Sequence, residues 1–157
     1  MFKKIRKYLK VIPIDVFVYS MTKESLDTFE NIGYSISQEI VSPTKKKFFI
    51  VDNDKTIHQS FLFKKIFLLK LIREKGPAIG DCMTIAEYKG KSIYPFVINF
   101  IAREELEKNK QKEVFIIVNT DNISSIKGIE KAGFKLHTKI TAKRFLMFHF
   151  AIQLTRS

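Results

Sequence analysis

A short basic loop, Lys89-Gly90-Lys91-Ser92, has the composition of a phosphate-binding turn. It follows an apolar stretch at residues 79–88 that predicts a strand, and it precedes an apolar stretch at residues 92–110 that predicts a helix. Glycine lets the backbone approach a phosphate closely, and the free N–H groups of a first helical turn point at the same place. The loop therefore predicts an anion site, with an ordinary strand–helix turn as the alternative.

A second strand–helix unit lies further along the chain. The apolar run at residues 114–118 predicts a strand, and Asn122 can cap a helix at residues 123–131 through its side chain. Gly133 suits the left-handed residue that ends such a helix, and Phe134 can pack back on its last turn. Two successive strand–loop–helix units, the first with a basic loop, favour a fold that binds a phosphate-bearing cofactor.

These two units resemble the signatures of the GNAT acyltransferases. Asn122 and Ser125, followed by Glu130-Lys131-Ala132-Gly133-Phe134, are similar to the second signature. Residues 84–94 resemble the first signature, a strand end followed by an Arg/Gln-x-x-Gly-x-Gly/Ala loop. Lys89 stands here at the Arg/Gln position, Ser92 at the first glycine and Tyr94 at the second small residue.

The resemblance implies a fold and an activity. The expected fold is a mixed α+β, GNAT-like domain spanning residues 1–157. Its central mixed sheet has about six or seven strands, is flanked by helices, and contains two parallel central strands that splay apart. The implied activity is acyl-CoA-dependent N-acyl transfer, with acetyl as the expected group, directly from CoA to the amine of a small molecule such as an amino sugar. The alternative is a non-catalytic GNAT-like module that binds CoA or a partner.

The resemblance also implies which residues hold acetyl-CoA. The backbone of the loop and first helical turn is expected to bind the pyrophosphate, and the strand end to pair with the pantetheine arm. A backbone N–H near Thr84 would also polarise the thioester carbonyl. The implied cofactor residues are Thr84, Ile85, Lys89, Gly90, Lys91, Ser92, Ile93, Tyr94, Asn122 and Ser125.

The catalytic groups are less defined by the sequence. Asp81, His58, Cys82 and Glu87 are the candidates for a general base, and His58 attracts attention because an unshifted imidazole titrates near neutral pH. The family often has a tyrosine general acid where this chain has Ile129, which leaves Ser125 and Tyr94 as substitutes. Cys82 is not expected to be an acyl-carrying nucleophile, because Asp81 beside it would raise the pKa of its thiol.

The chain order predicts β-α-β-β-(helix or strand)-β-α-β-α-β-β. The first strand is expected at residues 15–19 and the first helix at residues 22–31, where Thr22 can cap and Gly33 can stop it. A hairpin is expected at residues 47–63, and residues 66–73 fit either a helix or a strand. Residues 135–154 predict one long hairpin or two final strands.

Composition and charge limit the kinds of ligand and partner that the chain is expected to bind. The chain has 157 residues, one cysteine, three scattered histidines and a formal net charge of +12, so we expect no metal site and an attraction to anions. We expect no nucleic-acid binding, because no stacking or helix-turn-helix motif accompanies the charge. Residues 1–10 predict a basic amphipathic helix that could contact an anionic membrane or, as is more common, pack its apolar edge on the domain. With no apolar run long enough to span a membrane and no recognisable signal peptide, we expect a cytoplasmic monomer or homodimer.

Overall fold

The computed structural model describes residues 10–157. The amphipathic helix predicted for residues 1–10 therefore lies, except for Lys10, outside the described residues. The strands are β1 (Ile12–Thr22), β2 (Ser37–Ser42), β3 (Lys45–Asp52), β4 (Lys55–Phe63), β5 (Ala78–Thr84), β6 (Glu113–Asn119), β7 (Lys135–Phe145) and β8 (Phe148–Arg156). The helices are α1 (Phe67–Leu71), α2 (Ile93–Arg103), which a π-helical turn at Glu104–Lys108 extends, and α3 (Ile123–Lys131).

All eight strands form one mixed sheet in the order β2-β3-β4-β5-β6-β1-β7-β8. Only β5 and β6 run parallel, and α2 forms the crossover between them. β1 lies deep in the sheet, between β6 and β7, where Val18 faces Ile117 on one side and Thr138 on the other. The second half of β1 is buried on both faces, which is why it reads as a nearly continuous apolar run.

Two apolar clusters cover the two faces of the sheet. The larger cluster joins the sheet to α2 and α3 through residues such as Val97, Ile101 and Ile129. The smaller one packs α1 on the opposite face, where Leu69 and Ile72 contact strand residues that include Phe115. The cleft described below opens at the end of β5 from which α2 begins, so the larger cluster fixes both of its walls.

The expected fold class is confirmed, with one strand more than the six or seven expected. The added edge strand is β2, whose polar, exposed sequence carried no strand signal. The C-terminal residues form the long hairpin β7–β8, and the ambiguous stretch before β5 contains the short helix α1. Between β3 and β4, Asn53 and Asp54 both have positive φ, as a two-residue hairpin turn requires.

The helix predicted over residues 22–31 is wrong, because these residues form a turn and then an irregular segment that leads to β2. The Ser25 hydroxyl accepts a hydrogen bond from the Thr22 backbone N–H at 2.9 Å. Further along, the Asn99 side chain donates to the Asp27 carbonyl at 3.0 Å. Short polar side chains that bond to nearby backbone compete with helical hydrogen bonds, and here that competition succeeds.

The strand predicted over residues 79–88 ends earlier than expected, at Thr84. A turn of 3-10 helix at Ala86–Tyr88 follows it. Among the described residues, no helix is both long and apolar enough to cross a membrane.

Candidate active site

The two parallel strands separate soon after they meet. β5 and β6 pair only at Ala78 with Phe115 and at Ile79 with Ile116. From Gly80 to Thr84 the edge of β5 that faces β6 is therefore unpaired, while its other edge stays paired with β4. This splayed gap exposes backbone N–H and C=O groups that an extended ligand can use.

The loop after β5 presents backbone donors at the mouth of this gap. Gly90 and Ser92 both have positive φ, 77° and 61°, which turns the chain sharply into α2. The Ser92 side chain makes no capping bond to the helix, and its hydroxyl instead accepts from Lys131 Nζ at 2.7 Å. The first-turn N–H groups of Ile93 and Tyr94 are thus left without a side-chain cap, as an anion-binding helix N-terminus requires.

The N-terminus of α3 lies on the same side but is capped. Asn122 Oδ1 accepts the Ser125 backbone N–H at 3.2 Å, which confirms the predicted cap. At the other end Gly133 has φ 96°, and the Phe134 N–H donates to the Ile129 carbonyl at 3.3 Å. This is the Schellman arrangement that the Gly-Phe pair predicts. Caps at both ends fix the helix that faces the loop.

Between the loop and α3 lies an open cleft of about 500 Å³. Its cations are Lys89, Lys127 and Lys131, and among the described residues that line it there is no carboxylate. The lining residues are Cys82, Met83, Thr84, Tyr88, Lys89, Gly90, Ser92, Ile93, Tyr94, Pro95, Asn122, Ser124, Ser125, Lys127, Gly128 and Lys131. A cationic mouth with free backbone donors suits a negatively charged ligand.

A row of buried polar side chains backs the inner wall of the cleft at Thr84; His58 and Ser60 lie behind this wall and do not line the cleft. His58 is 1% exposed, and its Nδ1 lies 2.7 Å from Thr84 Oγ1 while its Nε2 lies 2.8 Å from Ser60 Oγ. Burial lowers the pKa of His58 to about 4, so the ring is neutral at pH 7. With both ring nitrogens occupied, His58 fixes the orientation of Thr84 at the end of the splayed strand.

Two further titratable groups complete this wall, and both keep their protons at neutral pH. Burial raises the pKa of the Cys82 thiol to about 12, although a hydrogen bond with Ser60 opposes the rise. Burial, with Cys82 nearby, also raises the pKa of Tyr94 well above its ordinary value. The Tyr94 ring lies against α3 so closely that a Cβ at Gly128 would be 2.5 Å from its Cδ1.

The structure brings together most of the residues that the sequence singled out. Eight of the ten implied cofactor residues line the cleft, and Ile85 and Lys91 do not. The Ile85 N–H pairs with the Ile57 carbonyl at 3.0 Å, and Lys91 Nζ lies 4.6 Å from the centre of the Tyr88 ring. Ser125 is in the cleft, at the first turn of α3.

The acidic candidates lie elsewhere. Asp81 is exposed outside the cleft and lies 3.5 Å from Lys45 Nζ. Its φ of 50° marks a bulge in β5, where the register with β4 shifts. Glu87 lies in the 3-10 turn, 3.7 Å from Lys55 Nζ. Ile129 is fully buried in the core.

Sequence reasoning did not assign a role to Ser60, Lys127 or Lys131. For Ser60 a signal was present, because it follows His58 by two residues on one face of an otherwise apolar strand. For the lysines the signal is the spacing of four residues, which places both on one side of α3.

The geometry can be compared with known proteins at this point. No protein-family profile matches the sequence, and no curated protein matches it. A solved structure of an acetyltransferase from the GNAT family of Colwellia psychrerythraea superposes with a TM-score of 0.58 at 14% identity, over 87% of this chain. A structure from Novosphingobium aromaticivorans, assigned to the GNAT acetyltransferases, superposes with a TM-score of 0.58 at 14% identity, over 94% of this chain.

The chain has the GNAT fold. It spans 57% of the length of the Colwellia protein and 67% of the Novosphingobium protein. At this identity the likeness concerns the fold, and the GNAT signatures in the sequence coincide with the cleft that the fold creates.

Proposed function

We propose that this protein is a GNAT-type acyltransferase that moves an acyl group, acetyl in the simplest case, from CoA to the amine of a small molecule. The observation that carries the proposal is the position of the cationic cleft. The unpaired edge of β5 leads to a loop whose helix N-terminus is uncapped, and three lysines line the same cleft. CoA matches both features, because its extended arm can pair with the strand edge and its pyrophosphate can bind at the helix N-terminus.

The CoA arm would lie along the splayed gap. Its amides would pair with the unpaired edge of β5 near Thr84, and its pyrophosphate would meet the N–H groups of Ile93 and Tyr94. Lys89, Lys127 and Lys131 would balance the negative charge. Thr84, held by His58, would place the thioester carbonyl at the end of the strand.

The chemistry is a direct transfer. The acceptor nitrogen forms a bond to the acyl carbon and loses a proton to water, the carbon–sulfur bond breaks, and the CoA thiolate takes up a proton. Tyr94 is the group we propose as the proton donor, because it lines the cleft and its raised pKa keeps its proton at neutral pH. It would act in place of the family tyrosine, whose position is filled here by the buried Ile129.

The alternative is a GNAT-like module that binds CoA without turnover. One observation favours it: Ile129 is fully buried, so the general acid that many family members use cannot come from that position. Acetyl-CoA binding is expected under both hypotheses, whereas release of free CoA thiol in the presence of an amine is expected only for the enzyme.

A titration calorimetry measurement with acetyl-CoA, followed by a thiol-release assay over a panel of amines that includes amino sugars, tests the proposal. The sharpest variant is Tyr94→Phe, which should lower kcat by roughly 10²-fold, the size typical of a lost general acid, with little change in acetyl-CoA affinity. Tyr88→Phe is the matched control. Tyr88 also lines the cleft, but its hydroxyl donates to Asp52 Oδ2 at 2.7 Å and is not available.

Three results would contradict parts of this proposal. Failure to bind acetyl-CoA would remove both hypotheses. Binding without thiol release from any amine would favour the non-catalytic module. Equal effects of Tyr94→Phe and Tyr88→Phe would remove Tyr94 as the acid but keep the acyltransferase.

A further inference from the structure

Two stretches of the described chain combine many cations with no acidic residue. Residues 55–73 and 131–157 contain no Asp or Glu, and they carry five and six Lys or Arg residues respectively. An excess of positive charge is expected wherever the fold brings parts of these stretches together.

The fold brings parts of both stretches together on the face of the sheet that α1 covers. Ile12, at the start of β1, pairs with Arg144 of β7. Arg144 in turn pairs with His149 of β8, and the His149 ring stacks on Phe67 of α1 with centroids 5.1 Å apart. The beginning of β1, the tip of the β7–β8 hairpin and α1 therefore form one continuous surface.

Large apolar side chains project from this surface. We call Phe67, Leu146, Met147 and Phe148 the apolar tip; their exposed fractions are 54%, 50%, 85% and 74%. Leu146 and Met147 form the turn of the β7–β8 hairpin, so they are the outermost residues of that element. Side chains of this kind rarely stay in water as a group unless the surface binds a partner.

Beside the tip lies a large basic groove of about 1160 Å³. Its cations are Lys45, Lys46, Lys64, Lys65, Lys70, Arg73 and Lys75. Lys70 joins the two features, because its Nζ lies 5.6 Å from the centre of the Phe67 ring.

The groove also contains two carboxylates, and both have other partners. Glu74 lies 3.4 Å from His137 Nε2, and Glu105 accepts a hydrogen bond from Asn109 Nδ2 at 2.7 Å. Seven cations against these two carboxylates leave the groove with an excess of positive charge, although Lys45 also lies 3.5 Å from Asp81.

We infer that the apolar tip and the basic groove together dock on an anionic lipid surface, with the tip inserted among the acyl chains and the lysines at the headgroups. Projecting apolar side chains surrounded by cations are what an anionic bilayer favours, since insertion and headgroup attraction add. A nucleic acid would use the cations but would leave Leu146 and Met147 against phosphates and water. The cleft is lined by the loop, α2 and α3, which pack on the other face of the sheet from α1, so it is not part of this surface.

Vesicle co-sedimentation of the full chain tests this inference without any assay of acyl transfer. We expect the partition coefficient to be at least roughly tenfold higher on phosphatidylcholine vesicles that contain phosphatidylserine than on phosphatidylcholine alone, because several lysines face the headgroups. Lys64→Gln/Lys65→Gln should lower binding to the anionic vesicles roughly tenfold or more. Lys23→Gln/Lys55→Gln removes the same charge from exposed positions that do not line the groove and should change binding less than about twofold.

The contribution of the apolar tip is tested separately, with a variant that leaves the net charge of the chain unchanged. Met147→Ser/Phe148→Ser should lower binding roughly tenfold or more. Val51→Ser removes an apolar side chain that is 51% exposed near the end of β3 and should have little effect.

Four outcomes would overturn the inference. They are equal binding to both vesicle types, equal losses from the two lysine pairs, binding that does not depend on Met147 and Phe148, and a concentration-dependent dimer in light scattering that the same serine variants abolish. The last result would assign the tip to contact with a second copy of the chain.

Discussion

The two walls of the cleft handle their polar groups in opposite ways. On the strand wall, Ser60, His58 and Thr84 satisfy one another inside the protein and are neutral. On the loop wall, the first turn of α2 has no side-chain cap and the surrounding side chains are lysines. The difference suits the proposed acyl-CoA ligand, whose acyl-pantetheine arm is uncharged and whose pyrophosphate is an anion.

The strand wall depends on a neutral His58, and the largest effect that we expect is on stability in acid. Burial lowers the pKa of His58 to about 4, below the ordinary value of 6.5 that it regains on unfolding. As the pH falls the unfolded chain binds the proton first, so the stabilisation is complete above about pH 6.5 and is lost as the pH approaches about 4. At about 1.4 kcal/mol per pKa unit, the loss in the free energy of unfolding is about 3 kcal/mol.

Urea unfolding of the wild type and of His58→Gln between pH 7.5 and pH 4 isolates this contribution, because the carboxylates titrate alike in both. The variant should be less stable than the wild type at neutral pH, and the gap should narrow as the pH falls. Parallel curves over that range would mean that His58 does not titrate on unfolding, and the neutral wall would have to be abandoned.

The loop wall depends on an open approach to the helix N-terminus, and Gly90→Asp should block it. A carboxylate at this point repels a pyrophosphate, so we expect CoA affinity to fall at least roughly tenfold. Gly33→Asp is a matched control, because Gly90 and Gly33 have φ of 77° and 82° and an added Cβ meets nothing within 4 Å at either. The backbone strain is thus similar, and only the location differs.

Titration of CoA into both variants and into Gly90→Asn measures the effect. Gly90→Asn adds similar bulk without the charge and should bind CoA with an affinity between those of Gly90→Asp and the wild type. If Gly90→Asp and Gly33→Asp bind CoA equally well, the loop is not part of the site.

The sequence predicts the two walls to different extents, because one is built from contiguous residues and the other from two separate strands. The loop wall is contiguous, so glycine, lysines and a helix start within residues 89–94 were enough to locate it. The strand wall is assembled across β4 and β5, and its residues meet only in a register that a bulge at Asp81 sets. That is why Thr84 was placed through the family signature, Ser60 was not assigned, and Asp81 was expected in the cleft. The helix predicted over residues 22–31 is absent for a related reason. The Asp27 carbonyl accepts a hydrogen bond from the side chain of Asn99, which is distant in the sequence.

Asn122 both caps α3 and lines the cleft, and two replacements should separate its effect on stability from its effect on acetyl-CoA binding. Asn122→Ala removes the bond to the Ser125 N–H and should cost about 1 kcal/mol of stability, within the usual range of about 0.5–2 kcal/mol for a lost cap. It should also weaken acetyl-CoA binding, because Asn122 lines the cleft. Asn122→Ser keeps a capping oxygen but loses the amide, so it should preserve the melting temperature and still weaken binding. If both variants bind acetyl-CoA like the wild type, Asn122 is only a cap.

The smallest effect is expected at Cys82, although it lies in the cleft beside Thr84. Burial raises the pKa of its thiol to about 12, whereas a nucleophilic cysteine needs a substantial thiolate fraction at working pH. The neutral strand wall offers no base to remove the proton, because the nitrogens of His58 are occupied by Thr84 and Ser60. Direct attack by an amine requires positioning and a polarised carbonyl but no covalent enzyme intermediate. Cys82→Ala should therefore keep most of the thiol-release activity, with losses limited to changes in packing. Detection of an acetylated Cys82 peptide by mass spectrometry, together with loss of turnover in Cys82→Ala, would replace direct transfer with a two-step mechanism and would make the strand wall reactive.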